Sequence, residues 1–422
     1  MDKKNFCILF FLCFFNFLNC EINVIPVSQS EDAITLCIDF PKKKRILENK
    51  NLSYWCSSSS CKDICFYNTL DGKKKMIFVG GERPIYALSI NNLEDCIAFG
   101  CSKKVDDKII DFVIVSDLQE FFHKEFSSFV SLQSHKDLVK CLSWPPANSS
   151  FLASGSLDGE VKIWDSLLEK SVIKSLKLDE VTNKIIPVFC LEWGNLYNHD
   201  DNLDKSKEVF LKLAAGFSNG SIKVWELKFI CGSNYKVEIV KETILKANNG
   251  YVGCLNWSND DKFLVAGYQD GRVRIWDPEA KYRKCVYNSK GHSWGVSGIK
   301  FYKDNFHFIS TGMDGAIRFW DIKNRKNELL EHLRFDNGVS MQIYCLDIYP
   351  SNLFLVVGLI GCALVLDISY LLLHYTFEQS DCDSVSTESE TDVETDSDRA
   401  TNVKLCDGAK DINKTQRSCQ FV

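Results

Sequence analysis

Four stretches of this chain read almost alike: SGSLDGEVKIWD (residues 154–165), GFSNGSIKVWEL (216–227), GYQDGRVRIWDP (267–278) and TGMDGAIRFWDI (311–322). Recurrence at a period of roughly 45 to 60 residues marks one supersecondary unit copied along the chain. Within each copy apolar residues alternate on either side of Asp-Gly or Asn-Gly, which predicts two strands joined by a two-residue turn. Gly159, Gly220, Gly271 and Gly315 fall where such a turn needs positive φ, and Asp158, Asn219, Asp270 and Asp314 before them tolerate left-handed geometry. The second strand ends in Trp164, Trp225, Trp276 or Trp320, a ring large enough to fill the gap between neighbouring sheets.

A second signature lies upstream of each Trp by roughly 25 to 35 residues: VKCLSW (139–144), VFCLEW (188–193), VGCLNW (252–257) and VSGIKF (296–301). The paired signatures resemble the WD-repeat β-propeller family, in which four-stranded blades surround a central channel. With the pair as a ruler, degenerate copies emerge at both ends. YCLDIY (344–349) with GLIGCALVLDI (358–368) reads as one blade, with Leu366 at the Trp position, and YALSIN (86–91), IAFGC (97–101) and DFVIVSDL (111–118) as another. ITLCIDF (34–40), LSYWC (52–56) and ICFYNTLDG (64–72) read as the first. The expected fold is therefore all-β: a propeller of seven four-stranded blades over residues 21–378, preceded by a hydrophobic segment at 1–20 and followed by a disordered acidic tail at 379–422.

The resemblance implies a stabilising tetrad in each blade: His before the inner strand, Ser or Thr on the second, Asp in the turn and Trp on the third. His135, Ser154, Asp158 and Trp164 match it in one blade, and His292, Ser310, Asp314 and Trp320 in another. Elsewhere it is broken, since Ala215 and Asn219 replace Ser and Asp in one blade and Ala266 replaces Ser in the next. Buried polar groups must be paired, so these residues are expected to form a structural network that orients the Trp rather than a catalytic triad.

Composition agrees with a large core: of 422 residues 45% are hydrophobic, with 29 Phe and 9 Trp. A net charge of −6 argues against a surface that coats nucleic acid. Cys37, Cys141, Cys190, Cys254 and Cys345 share one place in successive inner strands, where free Cys acts as a small buried hydrophobe a blade's width from its equivalents. Such usage favours a reducing compartment. Cys56, Cys61 and Cys65 lack the paired spacing and nearby His of a zinc site, so no metal or cofactor is expected.

The two ends carry different signals. Lys3 and Lys4 followed by the apolar run 6–18 have the form of a secretory signal peptide, the only expected membrane contact. Against translocation, the sequon at Asn256 falls inside an inner strand, where a glycan would not fit. The secretory pathway and the cytoplasm or nucleus both stay open as locations. Residues 380–398 are dominated by Asp, Glu, Ser and Thr and cannot bury enough apolar surface to fold alone. Thr387, Ser389, Thr391 and Thr395 each have an acid three residues on, which suits acidophilic kinases, and a basic partner would complement the tail. The polar insertion 198–208 is expected to be an exposed loop.

The fold supplies a platform, so function must come from its rim. Loops entering the inner strands and the turns after the second strands lie on one face, and Lys136, Leu138, Tyr251, Trp294 and Met341 are expected there as partner contacts. No P-loop, H-E-x-x-H, G-x-S-x-G or EF-hand motif occurs. A non-catalytic scaffold within a multiprotein complex is the leading expectation. The alternative is a propeller hydrolase in the secretory pathway with a channel site built on Glu192 and Asp347.

Overall fold

Each repeated hairpin turns on its glycine: φ is +81° at Gly159, +80° at Gly220, +78° at Gly271 and +82° at Gly315, values open to glycine without a Cβ clash. The strands that these turns join are the middle pair of antiparallel sheets. The computed structural model describes residues 22–26, 34–39, 54–68, 74–79, 81–91, 96–118, 129–133, 135–146, 151–165, 171–179, 184–196, 208–230, 236–247, 250–280, 285–302, 304–334, 338–348, 354–360, 362–368 and 401–402. The apolar run at 6–18, most of the insertion 198–208, and Thr387, Ser389, Thr391 and Thr395 lie outside them.

There are seven sheets, each built on four antiparallel strands, and they form the seven blades of a β-propeller. Their inner strands, numbered here as blades 1 to 7, are Thr35–Asp39, Leu88–Ile90, Val139–Ser143, Val188–Leu196, Val252–Trp257, Val296–Phe301 and Cys345–Ile348. Each inner strand packs against the next, and the seventh returns to the first, so the ring is closed. The degenerate copies read at both ends of the repeat array are blades 1, 2 and 7. Blade 6 carries a short addition, Thr401–Asn402, running parallel to its outer strand Lys326–Arg334.

Closure is made by a strand from the other end of the chain. Blade 7 takes three strands from residues 345–367 and its outermost from Ile22–Pro26, which pairs antiparallel with Cys362–Asp367 from Ile22↔Leu366 to Pro26↔Cys362.

The apolar core is divided among the seams. Among the described residues, Trp164 of blade 3 packs with Ala98, Val113 and Leu132 of blade 2, and Trp225 of blade 4 with Phe151, Val161 and Ile163 of blade 3. Trp320 of blade 6 lies on Val265, Val273 and Ile275 of blade 5, and Trp55 of blade 1 on Val356 and Ala363 of blade 7. A sheet has two faces, and each finds its cover only on the neighbouring blade.

A small device recurs at the inner end of these seams. In blade 4 the Cys190 thiol donates to the carbonyl of Val252 in blade 5 at 3.5 Å. In blade 7 Cys345 reaches Thr35 at 3.5 Å, and in blade 1 Cys37 reaches Leu88 at 3.3 Å. Desolvation pushes the Cys37 and Cys254 thiols up to about 12, so they stay protonated. The described cysteines are all free. Beside Cys141, Cys190, Cys254 and Cys345 the second strand supplies a glycine, whereas Cys37 faces Ser58; a Cβ on Gly216 would stand 2.6 Å from Cys190 Sγ and 2.7 Å from Val252 Cγ1. Cys, Gly and Val thus interlock across the seam with no spare volume.

Gly216→Ala should cost about 1–3 kcal/mol by overpacking, read as a lower urea midpoint; an unchanged midpoint would show that the seam can yield. A chain beginning at residue 27 leaves Cys362–Asp367 an open edge and should melt at a lower temperature than the full chain.

Candidate functional site

Two of the blades hold their Trp through a four-residue relay. In blade 3, Trp164 Nε1 donates to Ser154 Oγ at 2.7 Å, Ser154 to His135 Nε2 at 2.7 Å, and His135 Nδ1 to Asp158 Oδ2 at 2.9 Å. In blade 6, Trp320, Ser310, His292 and Asp314 repeat it at 2.7, 2.7 and 3.0 Å. The indole can only donate and the carboxylate only accept, so the donor order fixes the imidazole tautomer. Ser154 and Ser310 are fully buried, which leaves their hydroxyls no approach to a substrate. The relay ties the turn to the loop entering the inner strand, since Asp158 also accepts from Lys136 N at 2.9 Å and Glu160 N at 2.9 Å.

Broken relays are replaced in ways that one blade's sequence pattern does not announce. In blade 4, where Ala215 and Asn219 interrupt it, Trp225 Nε1 donates to Glu242 Oε1 on the outer strand at 3.0 Å. Glu242 also meets the buried Lys223 at 3.0 Å. In blade 5 Asp270 is held by Arg274 at 2.9 Å, and that guanidinium lies 4.2 Å from the centre of the Tyr268 ring.

Turns and entry loops lie together on one end of the ring, here called the turn face. Trp294 is 58% exposed and Ile185 67% exposed there. Of the nine exposed large apolar residues among those described, Val105, Ile109, Ile110, Ile185, Trp294 and Val339 belong to this face. Lys136 is exposed, Leu138 half-buried, and Tyr251 half-buried against Phe189 with ring centres 4.9 Å apart. Met341 departs from its expected place on the surface. Its backbone N–H bonds Leu333 O at 2.8 Å, which draws the side chain into the seam with Leu333, Ile343 and Leu359 and leaves it 5% exposed. Ile185 was absent from the sequence-based set because it follows no repeated motif. It rims a depression lined by Asp158, Lys177, Asp179 and Lys184.

Inside the ring, equivalent inner-strand positions face one another across the seams. Lys300 Nζ is 3.2 Å from Asp347 Oδ1, and the Asn256 amide donates to Glu192 at 3.0 Å and accepts from Phe301 N at 2.8 Å. Asp347 above all, then Glu192 and Asp39, hold the Lys300 ammonium above its ordinary range against desolvation. Glu192 and Asp347 are both engaged in this network, which gives no support to a hydrolytic carboxylate pair. Asn256 is 8% exposed and leaves no room for a glycan. Lys140 Nζ lies 3.6 Å from the centre of the Tyr86 ring in the preceding blade. Cys56 and Cys65 are buried while Cys61 is exposed, and no group of metal-holding residues forms among the described residues.

The family model for the WD domain, G-beta repeat, matches residues 126–165, 240–277 and 283–321. Each match runs from the outer strand of one blade through three strands of the next, so sequence unit and blade are offset by one strand. The chain is 23% identical over 60% of its length to eukaryotic translation initiation factor 3 subunit I of Candida glabrata, covering 66% of that protein. It is 33% identical over 32% of its length to polyadenylation factor subunit 2 of Candida albicans, covering 23% of it. It is 26% identical over 47% of its length to a ribosome biogenesis protein WDR12 homolog of Drosophila erecta, covering 40%. The chain thus spans less than two thirds of these curated relatives.

Burial alone would raise the Asp158 carboxyl, but bonds from His135 and the N–H groups of Lys136 and Glu160 outweigh it and hold it at about 2. Asp314 is lowered in the same way by His292, Ser293 and Ala316. A carboxyl depressed on folding contributes stability above its unfolded pKa and loses it as pH falls through the folded one. Asp158→Asn should therefore lower the melting temperature at neutral pH and flatten its fall between about pH 4 and pH 2; an unchanged acid profile would remove Asp158 from the relay.

Proposed function

We propose that this chain, which is a WD-repeat β-propeller, works as a non-catalytic scaffold within a multiprotein complex and docks its partner on the turn face. One observation carries the assignment: exposed large apolar side chains gather on that face, led by Trp294 and Ile185. Exposed apolar patches mark interaction sites, and Trp is enriched among residues that dominate binding energy. The rest of the molecule supports a rigid mount, because the polar relays are spent inside the blades and the channel charges pair with each other. The relatives, a subunit of an initiation factor, a subunit of a polyadenylation factor and a ribosome biogenesis protein, favour the same kind of work. Lys136, Leu138 and Tyr251 stand on entry loops of the same face and would add to the contact.

The acidic residues 380–398 supply a second contact in this proposal, onto a basic partner, with phosphate on Thr387, Ser389, Thr391 or Thr395 adding to their charge. Such a contact weakens as salt screens it.

Partners recovered with the tagged full chain should be lost at least about tenfold with W294A/I185A, equivalent to roughly 1.4 kcal/mol or more, while the melting temperature stays unchanged. Equal recovery by the double variant would move the docking site off this patch.

A further inference from the structure

Blade 2 departs from the others on the turn face. Where they have a tight turn, its second and third strands, Cys96–Val105 and Lys108–Asp117, run on in register to a tip at Asp106 and Asp107. Both tip residues have positive φ, +47° and +61°, as a two-residue hairpin with the twist of its strands requires. The inner strand Leu88–Ile90 accompanies the second only as far as Phe99, and the outer strand Val130–Leu132 the third only as far as Val113. Above Ser102 and Asp111, the two strands pair only with each other among the described residues, and both outer edges offer free backbone N–H and C=O groups.

The extension stands on a braced base. Ser102 Oγ accepts from Glu82 N at 3.1 Å and Arg83 N at 2.8 Å, and Arg83 bridges Asp111 at 3.2 Å and Asp137 of blade 3 at 2.7 Å. Residues 103–110 are all exposed. Cross-strand partners share a face, so Lys103 with Ile110 and Val105 with Lys108 form one face, while Lys104 with Ile109 belongs to the other. Lys104 is paired with Asp107 at 2.9 Å. Lys103 and Lys108 have no ion-pair partner among the described residues, and the charges on 103–105 and 108–110 are all lysines, with Asp106 and Asp107 at the tip between them.

Free edges with exposed β-branched residues are a liability that proteins normally blunt, and an added strand would satisfy them. We propose that this hairpin is a strand-addition site for an extended, acidic segment of a partner protein. Main-chain bonds along residues 103–105 or 108–110 would hold the segment. Its carboxylates would lie on the face of Lys103 and Lys108, and its alternate apolar side chains on the opposite face beside Ile109. A second copy of the chain suits the edge poorly, because like charges would stand opposite one another.

The test uses the full chain and the blocked peptide Glu-Val-Glu-Thr-Glu-Val-Glu-Thr, titrated by calorimetry at low salt. Saturable one-to-one binding is expected. It should weaken at least about tenfold with K103E/K108E and on raising salt from about 50 mM to about 300 mM. It should vanish when alternate peptide nitrogens are methylated and be unchanged by W294A, which separates this site from the apolar patch. No binding, equal binding of the lysine counterpart, or indifference to K103E/K108E would overturn the proposal. Binding that emerges only after the acids at 381–398 are changed to amides would also overturn it, because the chain's own segment would then be the occupant. A dimer by light scattering that K103E/K108E dissolves would assign the edge to a second copy instead. The exposed K103E/K108E positions should leave the melting temperature unchanged, so lost binding would not reflect lost fold.

Discussion

No blade of this molecule can cover both of its own faces, and that constraint organises everything else. Trp164, Trp225 and Trp320 each lie against the preceding blade, and their indoles are almost wholly buried. Apolar burial at seams is non-directional, so angular precision comes from elsewhere. The Ser-His-Asp relays and the interlocked Cys, Gly and Val positions set how one sheet sits on the next. Because the seams form a closed ring, an error at one would have to be absorbed by the other six, and loosely complementary packing would not suffice.

The division between support and contact follows from the same arrangement. Histidine, serine and aspartate side chains of the types used in catalytic triads point into the seams and satisfy one another there. Polar groups at the inner strands are likewise committed, Lys300 to Asp347 as an ion pair and the Asn256 amide to Glu192 as a hydrogen bond. What is left for another molecule is the turn face, which carries Trp294, Ile185 and the hairpin of blade 2 at separate places round the ring.

Much of this architecture was legible in the sequence, because glycine at a positive-φ turn and tryptophan at a strand end are demanded locally. The features that escaped depend on chain segments far apart. Glu242 takes over from the missing Ser in blade 4 from an outer strand that no motif marks. The Lys300–Asp347 pair joins two blades. Met341 follows an entry-loop pattern that in other blades leads to the surface, yet the bond to Leu333 turns it inward. The blade 2 extension has Asp-Asp at its tip in place of the Asp-Gly or Asn-Gly used as the ruler, and so its residues 102–110 fell between two recognised strands. Ile22–Pro26 carries no repeat signature, because an outer strand is specified by what it must cover.

That outer strand sets an order of events. Ile22–Pro26 is synthesised ahead of every other described strand, yet its partner Cys362–Asp367 lies roughly 340 residues downstream, a separation that makes pairing slow. During translation the early strand has to wait unpaired while six blades assemble behind it. The ring is therefore latched from its oldest end, and whatever holds or pulls that end acts directly on the latch.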